Sequence, residues 1–365
     1  MKENQNLNDS GSLPPVSSLP TPVSGLQPPV EKIYDVITYG RSSIDLYSAN
    51  IGADFVDIQA FNAYVGGSPL NIAVGSKRLG LKSALLTGIG QDQIGDFLLN
   101  FLNKEGVETK FIPRKPGFRT SAVILGIQPP DNFPLVYYRE NCADSKVTID
   151  DVIFANIGAS RLFEISATAL NVEPSRSSAF FAAEEAVKNN VPILIDLDFR
   201  ADQWHDPRSF GVTTRAYLRS CTIALGTEEE ILATMLSDPN QIKITNQQIS
   251  APEIRGNVDA AIQQIMALGL EALIVKRGEK GSTVFLKGGA FIDVPGFPVE
   301  VMNVLGAGDA FASGFIYGYL NGWNWFNCCR MGNACGAILV TKPGCSNFNP
   351  TYDEVMAFIE EKGGF

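Results

Sequence analysis

The chain has 365 residues, 45% of them hydrophobic and 19% charged, enough apolar material for a sizeable core in one large α/β domain or two smaller ones. Its 29 Lys and Arg stand against 39 Asp and Glu, and a formal net charge of -10 excludes a role in coating nucleic acid or an anionic membrane. The single histidine, His205, removes His-rich metal sites and His-based triads.

Residues 1–30 are rich in Pro, Ser and Asn and lack periodicity, so they read as a disordered tail. That stretch has no Arg and carries Glu3 and Asp9, which argues against a transit peptide; no secretory apolar segment opens the chain. The rest, 31–365, reads as one domain. Tyr34–Gly40 is a short apolar run ending on glycine, a buried strand. Ser68-Pro69 opens a helix, with Ser as N-cap and Pro at the first helical position, and Gly80 closes it. Ser83–Thr87 is a strand and Ile94–Lys104 a helix. The alternation resumes with strands at Arg161–Ile165, Pro192–Asp198, Thr222–Leu225 and Ala272–Lys276. Between them lie helices at Ser177–Asn189, Thr213–Arg219, Glu228–Leu236 and Val258–Leu268. Such alternation predicts a mainly parallel sheet with helices on both faces.

Two places break the rhythm. Phe55–Tyr64, Ser121–Ile127 and Leu135–Arg139 read as strands without helices between them, a small separate sheet over one edge of the main one. Ser282–Leu286 and Ala290–Val294 form a hairpin around Lys287-Gly288-Gly289. Residues 310–329 are uncharged but include Asn321, Asn324 and Asn327, so they read as a core helix and a loop, not a membrane span. The six cysteines form no C-x-x-C pair, which suits reduced thiols in a cytosolic protein.

There is no P-loop, and Gly88-Ile89-Gly90 has Gln93 where a dinucleotide fingerprint needs its third glycine. The strongest local signal is Gly306-Ala307-Gly308-Asp309 ahead of the apolar run Ala310–Leu320. Two glycines before a helix turn backbone N–H groups toward a ligand, a place for an anion. Asp309 is there either to cap the helix or to take a proton from an attacking hydroxyl. A second signal, Gly66-Gly67-Ser68-Pro69-Leu70-Asn71, is by itself a turn with a cap or a close approach to a ligand. Asp196-Leu197-Asp198 is a strand end or part of a nucleotide or metal neighbourhood.

As a pair, the G-G-x-x-x-N and G-A-G-D elements resemble the PfkB (ribokinase-like) carbohydrate kinases from about Tyr34 to the C-terminus. The resemblance implies a three-layer α/β/α fold with a small β-sheet lid. It makes Asp309 the base, and Gly306, Ala307 and Gly308 the anion-binding turn. Substrate would meet Asp45, Gly66, Gly67 and Asn71. Thr227, Lys276, Gly278, Gly281 and Asp198 would lie on the nucleotide side, with Glu230 on the metal. ATP and Mg2+ are the implied cofactors. Asn303-Val304-Leu305 departs from the family's D-T-x ahead of G-A-G-D, so a monovalent cation such as K+ stays open, as does a homodimer. Further segments, Gly40–Leu46, Tyr64–Gly75, Tyr138–Asp144 and Asp196–Arg200, resemble the sugar-acid kinases of myo-inositol breakdown. On that likeness Arg139, and secondarily Arg41, would hold the substrate carboxylate. Kinases of 2-keto-3-deoxygluconate, fructose, ribose or nucleosides, and a catalytically inactive sugar sensor, are the alternatives. A cytoplasmic enzyme is expected.

Overall fold

The computed structural model describes residues 30–129, 132–243 and 252–365, so the expected tail lies outside it except for Val30. The strands, in chain order, are β1 (Tyr34–Tyr39), β2 (Ser43–Ser48), β3 (Phe61–Gly66), β4 (Ser83–Leu86), β5 (Ser121–Leu125), β6 (Leu135–Tyr138), β7 (Ser160–Ser166), β8 (Ile193–Asp196), β9 (Ile223–Thr227), β10 (Ile242–Lys243), β11 (Glu253–Ile254), β12 (Ala272–Lys276), β13 (Ser282–Leu286) and β14 (Phe291–Val294). The α-helices are α1 (Ser68–Arg78), α2 (Gln93–Glu105), α3 (Ile149–Ala155), α4 (Ser175–Lys188), α5 (Pro207–Leu218), α6 (Glu228–Thr234), α7 (Val258–Met266), α8 (Ala307–Leu320), α9 (Trp325–Val340) and α10 (Tyr352–Glu361).

Among the described residues, one sheet runs β14-β13-β12-β9-β8-β7-β1-β4. From β12 to β4 it is parallel, and the β13–β14 hairpin adds an antiparallel edge. Its strands bury both faces, so alternate residues enter different cores. Ile37, Phe163, Ile195 and Ala224 meet α3 to α7, whereas Val36, Leu162, Leu194 and Ile223 meet α1, α8 and α9. The second sheet, β3-β2-β5-β6, is the small one expected. Its inner side, with Tyr47, Val123, Leu125 and Leu135, packs on Leu305 and Cys345 of the main body.

Three details differ from the sequence reading. Phe55–Asp57 is a turn of 3-10 helix, and the strand begins only at Phe61. Ser43–Ser48 is a strand, although it was read only as a stretch carrying Asp45; it pairs with both β3 and β5 and so holds the small sheet together. The N-cap of α1 is Gly67, not Ser68, because its φ of 107° suits glycine and a Cβ there would overlap the Arg41 carbonyl. The uncharged stretch after Asp309 becomes α8, a short loop and the start of α9; the six cysteines are buried and unbridged, Cys328 and Cys329 in apolar packing. No described helix is long and apolar enough to cross a membrane.

Candidate active site

Parallel strands deliver their C-terminal ends to one edge of the sheet, where ligands of open α/β folds bind. Here β1 ends near Arg41, β8 at Asp196, β9 at Thr227 and β12 at Lys276. The small sheet closes over this edge. Between the two lies a pocket lined from the small sheet by Asp45, Tyr47, Leu125 and Tyr137, and from the body by Arg41, Gly67, Asn71, Arg200, Gly306 and Asp309.

The two glycine turns meet there. Gly306, with φ of 78°, caps α8, and a Cβ on it would come 2.8 Å from the Cys345 sulfur. No side chain caps this helix and the Ala307 N–H donates to the Val304 carbonyl, so the N–H groups of Gly308 and Asp309 are the ones available to an anion. Asp309 sits in that turn without capping it, which decides against the capping reading. Its carboxylate accepts from Asn71 Nδ2 at 2.6 Å. Burial, followed by the charge of Asp198, raises its pKa above the ordinary aspartate value, and Asn71 works in the opposite direction. Across the pocket Asp45 accepts from Ser43 at 2.7 Å. Burial lifts Asp45 to about 6 against the pull of Arg41 and Ser43. Gly66 must lack a side chain because its Cβ would overlap the Asp45 carboxylate.

Two guanidinium groups line the same pocket. Arg41 is 6% exposed, and its Nε has no hydrogen-bond partner among the described residues. Its Nη1 donates to Ser43 at 3.0 Å, and the group lies over the Tyr137 ring. Arg200 pairs with Asp198 at 2.7 Å. Burial would lower the Arg200 pKa, but Asp198 more than reverses this and keeps the cation charged.

Arg139 is not where the sequence reading put it. It is absent from the pocket lining. Its Nε donates to Asp144 at 2.6 Å, and its terminal nitrogens donate to the Thr168 carbonyl and to Gln203. A fork so occupied has no face left for a substrate carboxylate. The pair with Asp144 is buried, with side chains 6% and 0% exposed.

On the nucleotide side, Thr227 and Glu230 form a capping box on α6. Glu230 Oε2 accepts from Thr227 N at 2.8 Å and Oε1 from Phe199 N at 3.2 Å, so this carboxylate fixes the loop after β8. Asp198, at φ of 31°, accepts from Ser166 at 2.8 Å. Lys276 bonds Asp196. Gly278 and Gly281, both at positive φ, shape the turn into β13; a Cβ at Gly281 would overlap the Val294 carbonyl. No group of three His, Cys, Asp or Glu among the described residues could hold a metal. A divalent ion would therefore depend on phosphate oxygens and water, with Glu230 at most an outer partner. Sequence reasoning passed over Arg200, Tyr47, Tyr137, Leu305 and Cys345. Only Arg200 had a visible signal, as a lone cation closing the Asp196–Arg200 segment.

The chain matches the pfkB family carbohydrate kinases over residues 34–352. It is 33% identical to a protein of Clostridium tetani named 5-dehydro-2-deoxygluconokinase, over 91% of this chain and 94% of the relative. A protein of the same name from Clostridium beijerinckii is 31% identical, over 90% and 93%. Among solved structures, a fructokinase double mutant from Vibrio cholerae with fructose, ADP and potassium bound superposes with a TM-score of 0.74 at 22% identity, over 90% of this chain and 99% of that one. A Xylella fastidiosa fructokinase with bound ATP gives 0.76 at 22% identity, over 90% and 99%. At that identity the likeness concerns the fold.

Proposed function

The chain belongs to the pfkB family of carbohydrate kinases, and from that premise we propose that it phosphorylates the primary hydroxyl of a sugar acid with ATP. The favoured substrate is 5-dehydro-2-deoxy-D-gluconate, giving the 6-phosphate as a step of myo-inositol degradation. One observation carries the sugar-acid reading: Arg41 and Arg200 line the pocket that holds Asp309. A guanidinium fork matches a carboxylate, whereas a neutral sugar offers it no charged partner.

The hydroxyl proton goes to Asp309 as the hydroxyl oxygen bonds the γ-phosphorus; the bond to the β-phosphate oxygen breaks and ADP leaves. The N–H groups of Gly308 and Asp309 face the charge that develops on the phosphoryl group. Asp45, Gly67 and Asn71 hold substrate hydroxyls. Thr227, Gly278 and Gly281 shape the nucleotide side, and Asp198 holds Arg200 in place. Magnesium bound to the nucleotide would neutralise its phosphates, with Glu230 holding one of the waters. The small sheet keeps water, a competing acceptor, from the transfer.

An acceptor panel with ADP detection tests this. Turnover on the 5-dehydro-2-deoxy acid well above that on 2-keto-3-deoxygluconate, fructose, ribose and nucleosides supports the assignment. Preference for a neutral sugar would move it to a fructokinase or ribokinase activity, and no turnover with any acceptor would favour a sugar-sensing protein.

A further inference from the structure

On the reading that phosphoryl transfer takes place at the first turn of α8, we propose that Lys276 is a catalytic residue whose ammonium contacts the phosphoryl group in flight. Lys276 ends β12, and its Nζ lies 3.0 Å from where a Cβ of Gly308 would stand. A cation against a helix N-terminus is unfavourably placed, since that end carries positive partial charge. What compensates it is Asp196, which is 2% exposed and accepts from Nζ at 3.2 and 3.0 Å. An ammonium has three donors. Among the described residues Asp196 alone accepts from this one, so an N–H remains for a ligand. The side chain keeps 13% exposure and is not sealed into the core. Burial would lower the lysine pKa; Asp196 first, then Glu230 and Asp309, more than reverse that, so the group stays charged.

A second acid completes the arrangement. Glu164, on β7, is fully buried, and neither of its oxygens has a partner among the described residues. Burial, then the charges of Asp196, Asp309 and Asp198, push its pKa well up and favour its protonated form. Asp196 is thus the one carboxylate bonded to Lys276 among the described residues. An ammonium that keeps one N–H free beside the helix N–H groups adds its attraction for a phosphoryl group to theirs. The transfer itself is the one already written: the sugar oxygen bonds phosphorus, the bond to ADP breaks and Asp309 takes the proton. Lys276 exchanges no proton in it.

The experiment compares Lys276→Met with the double variant Asp196→Asn/Lys276→Met, using whichever acceptor the wild type phosphorylates fastest. We expect kcat to fall about 10²–10³-fold in both, with the KM for ATP within about threefold. By calorimetry ADP should bind as before, while ADP with aluminium fluoride, a mimic of the phosphoryl group in transfer, should bind at least about thirtyfold more weakly. A raised KM at constant kcat would make Lys276 a ground-state contact only and overturn the proposal. Recovery of kcat in the double variant would trace the damage to an orphaned Asp196 and overturn it as well. Binding of the fluoride complex needs no turnover. The Lys276 result therefore stands even if the acceptor panel disproves the sugar-acid reading.

Discussion

Asn71 donates its amide to Asp309 at 2.6 Å, across 238 residues of chain. The bond joins the first turn of α1 to the first turn of α8, the two elements that carry the glycine turns. Asn71 is itself held from behind: Ser346 donates to its side-chain oxygen and Asn349 to its carbonyl. The carboxylate is thus aimed before any substrate arrives, and such preorganisation is what a general base needs.

Asp309→Asn keeps the shape and removes the base. Turnover should fall about 10²–10⁴-fold, the usual contribution of positioned proton transfer, while nucleotide affinity measured by calorimetry stays within a few-fold. Activity within a few-fold of wild type would mean that Asp309 is not the base.

Asn71→Ala acts on the same group through its protonation. The amide favours the charged carboxylate, so its removal raises a pKa that burial already holds above the ordinary value. The base is active when deprotonated. The acid limb of kcat against pH should therefore move to higher pH in the variant, and an unmoved limb would separate Asn71 from the base.

The architecture was legible because βα alternation and the two glycine turns are local signals; Gly67, Asn71 and Asp309, which those turns carry, line one pocket together with Asp45. Arg139 and Arg200 were not legible in the same way. Both follow strands and both are surrounded by acids in sequence. That Arg139 turns away from the pocket depends on Asp144, Thr168 and Gln203, which only the tertiary fold brings together, and that Arg200 lines it depends on the position of Asp198. Ser43–Ser48 was missed as a strand for a related reason. Its pairing partners lie on either side of α1 to α2 in the chain, so no hairpin signal marks it.

The arginines make opposite predictions. Arg139 and Asp144 have side chains 6% and 0% exposed, and removing one member of a buried pair costs about 3–5 kcal/mol. Arg139→Met should lower the melting temperature and leave the preference for sugar acids over neutral sugars as it was. Arg41→Met should reduce kcat/KM on the sugar acid by about 1.5–3 kcal/mol, the range for a hydrogen bond to a charged group, and spare neutral sugars. Equal losses on both substrate classes would remove Arg41 from carboxylate recognition.

Asn303 bears on the monovalent cation. Its Nδ2 donates to the Pro343 carbonyl at 3.2 Å and its Oδ1 accepts from Leu305 N at 3.1 Å. A neutral amide thus ties the segment before Gly306 to the segment before Cys345. Activity should change less than about twofold when K+ is exchanged for a bulky tetraalkylammonium at constant ionic strength, a salt condition that leaves general screening equal. A tenfold drop would show that a cation is needed after all.

Asp45 sets function against stability. Its pKa of about 6 in the folded protein lies above the ordinary 3.8, with burial as the main cause. The native state therefore binds this proton more tightly than the unfolded chain does. The corresponding stability is fully present below about pH 4 and is lost as pH rises through 6. Asp45→Asn keeps an acceptor for Ser43 and never charges. The variant should gain on the order of 1–3 kcal/mol over wild type at pH 8, and that advantage should shrink toward pH 4.5. Its sugar affinity should lie below that of wild type at pH 8 and approach it toward pH 5, while wild-type KM for sugar should rise as pH drops through 6, because the protonated carboxyl accepts fewer hydroxyl hydrogen bonds. Denaturant melts at the two pH values and a KM series between pH 5 and 8 read both effects. A stability difference independent of pH would mean that Asp45 is not the buried, reluctantly charged group that its surroundings describe.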